Sequence, residues 1–129
     1  MRILFDANVM VSAIVTRGLS FDVIKDSVYK HEVFYTDYLL GEIKEILAGK
    51  FFLSEKIAEN AVRLLKKYFI KGKTSRTVDK ICRDPGDDQV LADAAANKIE
   101  ILISADKDLS VLKKYKGIKI ILPRDYWKL

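Results

Sequence analysis

The sequence predicts an α/β fold, a parallel sheet covered by helices on both faces, and three observations carry that reading. Short apolar runs suited to buried strands recur at residues 2–5, 31–36, 99–104 and 118–122. Stretches with helical spacing of apolar residues separate them. The run at 99–104 is apolar almost without interruption, as a parallel strand covered on both faces requires. Alternation of this kind builds a three-layer α/β/α sandwich, and right-handed crossovers put the strand exits on one rim. Ligand sites in open α/β sheets form at that rim.

In chain order, Ile3, Leu4 and Phe5 make the first strand, and Asp6 ends it. Residues 8–15 suit a short helix, Thr16-Arg17-Gly18 a break, and residues 19–30 a second helix through Leu19, Val23, Ile24 and Val28. HEVFYT at 31–36 is the second strand, since Val, Phe and Tyr favour a pleated surface. Asp37 is a candidate N-cap for a helix to about residue 48. Its apolar stripe is Leu39, Leu40, Ile43, Ile46 and Leu47, with Glu45 on the opposite face. Glu42, three residues after Leu39 and four before Ile46, falls at the edge of that stripe. A carboxylate there is partly desolvated unless a cation meets it.

Gly49 ends this helix in the sequence reading, and Phe51-Phe52-Leu53 is an apolar connector. Ser54, Ile57, Ala61, Leu64, Leu65 and Tyr68 mark an amphipathic helix to about residue 70. Lys66, Lys67, Lys71, Lys73 and Arg76 form a basic run. It suits either a solvated face or a surface that tracks a phosphate backbone, with Tyr68 or Phe69 available for stacking. Residues 77–82 fit a short strand or an irregular edge, and Arg83-Asp84-Pro85-Gly86 a turn. Asp87 or Asp88 then opens a helix through Val90, Leu91, Ala94 and Ala95, with Asn97 near its end. Asp106 follows the third clear strand as Asp6 follows the first; residues 107–115 suit a short helix, and Pro123 ends the last strand.

The 129 residues contain no repeat, low-complexity tract or linker, so one domain over 1–129 is expected. A composition of 50% hydrophobic and 32% charged residues is globular. The net charge of +5 and pI of about 9.2 are compatible with a nucleic-acid partner without requiring one. Cys82 is the single cysteine and His31 the single histidine, which excludes an internal disulfide and a zinc pattern. No orienting pattern surrounds either as a nucleophile–base pair, and Cys82 suits a small core residue. Asp6 interrupts the apolar start, so no signal-peptide pattern is visible. No apolar run approaches the roughly 20 residues that span a bilayer, and a reducing cytoplasm is the expected compartment.

Four acidic positions then converge: Asp6 and Asp106 past strand exits, Asp88 at a helix start, and Glu42 one turn into a helix that follows a strand exit. Each alone has a mundane use, three of them as N-caps. Together they would repel and raise one another's pKa unless a hard cation lay among them. Oxygen-only ligands suit Mg²⁺ or Mn²⁺. The chemistry that follows is phosphodiester hydrolysis, with the metal polarising the phosphoryl group and acidifying a water.

The segments FDANVMVSA at 5–13, LLGEIKEIL at 39–47, DPGDDQVLADAA at 84–95 and ILISADKDL at 101–109 resemble, in order, the four signature segments of PIN-domain ribonucleases. The likeness runs over nearly the whole chain and is nearest to the small single-domain prokaryotic toxins of toxin–antitoxin systems, the VapC-like group. It implies a PIN-like sandwich with a parallel sheet of four or five strands. It implies Mg²⁺- or Mn²⁺-dependent cleavage of single-stranded RNA, with Asp6, Glu42, Asp88 and Asp106 as catalytic metal ligands. It also implies a homodimer and a cognate antitoxin. Asn8 and Ser12 match positions that support the site. Ser104 stands where the family usually has Thr. Asp87 and Asp108 are candidates for an added ligand or a supporting role. Spacing alone does not separate Asp87 from Asp88; the family pattern favours Asp88. The alternative is a PIN scaffold that binds RNA or a protein without cutting. Other acidic-pocket folds fit less well: a haloacid-dehalogenase phosphatase needs Asp where Asn8 stands, a receiver needs paired acids after its first strand, and no G-x-G-x-x-G follows that strand.

Overall fold

A computed structural model of the chain describes residues 1–50 and 54–129; the expected connector at 51–53 lies outside the described residues. The elements are β1 (Arg2–Phe5), α1 (Ala7–Thr16), α2 (Leu19–Lys30), β2 (Glu32–Tyr35), α3 (Asp37–Lys50), α4 (Glu55–Tyr68), β3 (Ile70–Lys71), α5 (Pro85–Ala96), β4 (Ile101–Ile103), α6 (Lys107–Ser110), β5 (Lys114–Tyr115), β6 (Ile118–Ile121) and a closing 3-10 helix, Pro123–Lys128. The sheet order is β3-β2-β1-β4-β6-β5. Every pairing is parallel except β5 with β6. Helices flank this mostly parallel sheet, as the alternating pattern predicts.

β1 occupies the centre because it is apolar on both faces: Ile3 and Phe5 are fully buried and Leu4 nearly so. Ile3 aligns with Val33 of β2 on one side and Ile101 of β4 on the other. The exits of β1, β2, β3, β4 and β6 therefore share one rim, and the turns beyond them bring distant parts of the sequence together. Among the described residues no single helix is long and apolar enough to cross a membrane.

Several boundaries differ from the sequence reading, each for a local reason. Thr36, rather than Asp37, caps α3: its hydroxyl accepts from the Leu39 amide at 3.2 Å. α3 continues through Gly49 to Lys50. α4 stops at Tyr68, and Ile70 and Lys71 pair with Phe34 and Tyr35 as β3. Residues 77–82 form no strand. α5 starts at Pro85, capped by Asp84, whose carboxylate accepts from the Gly86 amide at 2.8 Å; proline suits a first helical position because its missing N–H would be unpaired there anyway. The expected helix at 107–115 ends at Ser110. Lys113 and Lys116 adopt left-handed φ values of 60° and 46°, and the chain turns into the β5–β6 hairpin. The two extra strands, β3 and β5, have two residues each.

The segment after β3 is irregular but pinned. The Asn97 side chain donates to the Lys73 carbonyl and accepts from the Lys73 amide, both at 2.8 Å. Asp93, buried, accepts from the Ser75 amide, the Gln89 amide group and the Thr36 hydroxyl. Gly72 is required here: a Cβ would lie 2.7 Å from Asn97 Oδ1.

Candidate active site at the sheet rim

Asp6 leaves β1 at the rim, buried at 5% exposure. Its Oδ1 accepts from the Ala7 amide at 2.8 Å and its Oδ2 from the Ser104 hydroxyl at 2.9 Å. Ser104, fully buried at the end of β4, also accepts from the Asp106 amide at 3.0 Å. One hydroxyl thus fixes the first acidic residue against the turn that carries the last, across 98 residues of sequence. Asp106 caps α6, accepting from the amides of Asp108 and Leu109.

Carboxylate oxygens of Asp87, Asp106 and Asp108 lie within 4.8 Å of one another. Glu42, half-buried on α3, lies within electrostatic reach of Asp6, Asp84 and Asp87. One of its oxygens, Oε1, is buried and has no hydrogen-bond partner. Its carboxyl is pushed up to about 7, first by burial and then by Asp6, Asp84 and Asp87, against the favourable Tyr38 hydroxyl. Asp87 is also pushed up to about 7, by burial and then by Asp106, Asp6, Asp84 and Asp108. Burial raises Asp6 too, opposed by its bonds to Ser104 and Ala7 and reinforced by Asp106 and Asp84. Among the described residues no cation is bonded to Asp6, Glu42, Asp87 or Asp106, so most of this mutual repulsion is left unrelieved.

Of the four residues singled out by sequence, Asp6 lies within electrostatic reach of both Asp106 and Glu42, Asp106 alone belongs to the group whose oxygens lie within 4.8 Å, and Asp88 is turned elsewhere. Asp88 Oδ1 accepts from the amides of Ile81 at 3.0 Å and Cys82 at 2.7 Å. Those amide bonds, Cys82 first, hold its carboxyl below the usual range. Asp87, and not Asp88, is the α5 carboxylate with an oxygen within 4.8 Å of oxygens of Asp106 and Asp108. The physical reason is the start of α5: capping by Asp84 makes Asp87 the third helical residue, and successive side chains diverge by about 100° on a helix of 3.6 residues per turn.

Asn8 is exposed and Ser12 half-buried on α1; among the described residues neither side chain hydrogen-bonds to the acidic group. Asp108 is held by Arg83, Nη2 to Oδ1 at 2.7 Å and Nε to Oδ2 at 3.3 Å. The sequence reading missed Asp84 and Tyr38. Had Asp84-Pro85 been taken as an N-cap and first helical residue, the start of α5 would have followed. Lys66, Lys67, Lys71, Lys73 and Arg76 are exposed, with Lys71 at 4.0 Å from Asp37. His31 and Cys82 do not form a catalytic pair: His31 Nδ1 lies 3.1 Å from the Met1 amino group, and the Cys82 thiol, pushed up to about 11 by burial and then by Asp88, is not an activated nucleophile.

A second concavity lies away from these carboxylates. It is an apolar groove of about 560 Å³ between α1, α2 and α4, lined by Met10, Ile14, Phe21, Ile24 and Leu64 among others.

The arrangement defines a class: an α/β protein whose candidate site is an oxygen-only acidic cluster beyond the exits of parallel strands. The PIN domain family model matches residues 2–108, and the chain belongs to the PIN domain family. Two solved structures share the fold. VapBC2 from Rickettsia felis, solved bound to a DNA fragment from their promoter, superposes with a TM-score of 0.64 at 10% identity, covering 95% of this chain and 98% of that one. Mycobacterium tuberculosis VapC20, described as a Sarcin-Ricin loop cleaving toxin, gives 0.64 at 14% identity, covering 91% and 98%. None of the curated proteins compared matches the sequence.

Proposed function

We propose that this protein is a divalent-metal-dependent endoribonuclease that hydrolyses phosphodiester bonds of single-stranded RNA, the toxin of a toxin–antitoxin pair. The observation that carries the reading is the cluster itself: buried or half-buried carboxylates crowd one point, with one orphaned buried oxygen on Glu42. Such a group is costly unless a cation meets it, and its all-oxygen donors fit Mg²⁺ or Mn²⁺. Asp6, Glu42, Asp87 and Asp106 would hold the ion. Bound there, it would polarise the phosphoryl group and acidify a water.

The chain's own residues do the rest. Ser104 keeps Asp6 and Asp106 in register. Burial of Asp6 and Asp87 restricts their rotamers, so little ordering remains to be done on binding. Lys73 and Arg76 are exposed on the segment that runs beside α5 after β3, held there through Asn97 and Asp93, and would grip RNA phosphates leading away from the carboxylates. A cognate antitoxin and a homodimer belong to the same proposal. The fold shared with VapBC2 and VapC20 supports it, and the groove between α1, α2 and α4 is apolar surface of the kind that marks protein partners.

Incubation of single-stranded RNA with the protein and Mn²⁺ tests the proposal. Cleavage lost with EDTA and in Asp6→Asn supports it. RNA binding without cleavage, indifferent to metal and to Asp6→Asn, would favour the non-catalytic module instead.

A further inference from the structure

We propose that Asp108 is not a metal ligand but the anchor of Arg83, and that Arg83 is a substrate-binding residue that grips an RNA phosphate at the edge of the acidic cluster. The inference rests on the nuclease reading and adds to it a residue outside the metal-holding set. Asp108 lies close enough to Asp87 and Asp106 to share an ion with them. Yet both its oxygens already accept from Arg83, one from Nη2 at 2.7 Å and one from Nε at 3.3 Å. This is the two-point fork that a guanidinium makes with a carboxylate.

The placement argues for function over stability. The Arg83 side chain is 89% exposed, and an exposed pair of this kind adds little to folding. The fork uses two of five N–H donors. The remaining three have no acceptor among the described residues and stand at a surface position. Arg83 directly precedes Asp84, the cap of α5, and Asp108 follows Asp106 on α6. The pair therefore spans the two turns that supply Asp87 and Asp106.

Electrostatics supplies the need. A polyanionic substrate must approach a rim carrying Asp6, Glu42, Asp84, Asp87 and Asp106, whose charge a single divalent ion offsets only in part, so phosphates away from the ion are repelled. Among the described residues, Arg83 is the one cation bonded to a carboxylate of this neighbourhood. Held by Asp108, it presents a planar donor set suited to phosphate oxygens. Asp108 acts through Arg83 as a positioning residue.

The test compares wild type, Arg83→Ala, Arg83→Lys, Asp108→Asn and a charge-matched control on β6, Lys119→Ala. Three quantities are read: Mn²⁺ affinity by calorimetry, single-stranded RNA affinity against salt, and KM and kcat with Mn²⁺. Arg83→Ala and Asp108→Asn should raise KM about tenfold with smaller changes in kcat. Arg83→Ala should lower the salt slope of RNA binding by about 0.7, the share of one phosphate contact on a single strand. Arg83→Lys should restore the salt slope but only part of the KM, and Lys119→Ala should change neither. Mn²⁺ affinity should be unchanged in all. A loss of Mn²⁺ affinity of about tenfold or more in Asp108→Asn, the mark of a residue that holds or supports the ion, would overturn the assignment, as would an unchanged KM and salt slope in Arg83→Ala. Either result leaves the nuclease reading intact if wild type still cuts RNA. A wild-type protein that neither binds nor cuts RNA overturns both.

Discussion

Asp87 and Asp88 are adjacent on α5, and their carboxylates serve opposite purposes. An Asp87 oxygen lies within 4.8 Å of oxygens of Asp106 and Asp108, while Asp88 Oδ1 takes the amides of Ile81 and Cys82. One residue joins the acidic cluster and the other pins the segment that leads to it. Asp87→Asn should therefore cut Mn²⁺ affinity and RNA cleavage by about a hundredfold, the upper range even for residues that only support a metal. It should leave the urea midpoint unchanged or raised, because a repelled buried charge is removed. Asp88→Ala should lower the urea midpoint, since two amides lose a charged acceptor. The paired measurements are calorimetric Mn²⁺ titration and urea unfolding.

Ser104 is the hinge between the first and last acidic residues. Ser104→Ala removes its bonds to Asp6 and to the Asp106 amide while keeping the backbone. The expected result is a tenfold to roughly hundredfold loss of cleavage or Mn²⁺ affinity, with the fold retained by circular dichroism. Wild-type activity in this variant would mean that the two carboxylates need no common support.

The raised carboxyls set a pH dependence with a definite sign. Glu42 and Asp87, both near 7 when folded, bind protons that the unfolded chain has released at their ordinary values of 4.5 and 3.8. The folded state binds more protons across that window, so these two groups make metal-free stability fall as pH rises through it. Glu42→Gln should stabilise the metal-free protein increasingly from about pH 5 to about pH 8. Mn²⁺ should reverse the trend and release more protons at about pH 6 than at about pH 8, read by calorimetry in buffers of different ionisation enthalpy. A stability difference between wild type and Glu42→Gln that does not vary with pH would contradict this.

Gly72 and Asn97 test the support of the basic segment. A methyl group at Gly72 meets Asn97 Oδ1 at 2.7 Å and Cγ at 2.9 Å. It must displace the amide that pairs with both backbone groups of Lys73. Gly72→Ala should cost about 1–3 kcal/mol and weaken RNA binding by releasing Lys73 and Arg76. Unchanged urea unfolding would show that Asn97 moves aside freely.

How much of this was legible follows from which signals are long and which are local. β1 and β4 are dense apolar runs, so the strands and the acids at their exits, Asp6 and Asp106, were readable. Glu42 was readable because the stripe of α3 spans three turns and places it at the stripe's edge. β3 and β5 were not: two residues carry no periodicity, and their pairing depends on partners elsewhere in the chain. The hairpin that replaces the rest of the expected helix after α6 depends on left-handed backbone at Lys113 and Lys116, which composition does not announce. Asp87 and Asp88 are identical in type and neighbours in sequence. Choosing between them needed the first residue of α5 and the amides waiting at Ile81 and Cys82.

In the proposed active form, side chains from four separate segments close around one divalent ion. A crystal soaked in Mn²⁺, with anomalous scattering recorded to locate the ion, tests it most directly. The expected result is a peak at about 2.0–2.3 Å from oxygens of several of Asp6, Glu42, Asp87 and Asp106, with Asp88 still bonded to the Ile81 and Cys82 amides and Asp108 still on Arg83. A fully Mn²⁺-saturated crystal with no peak among those oxygens, or with its only ion on Asp88, would contradict it.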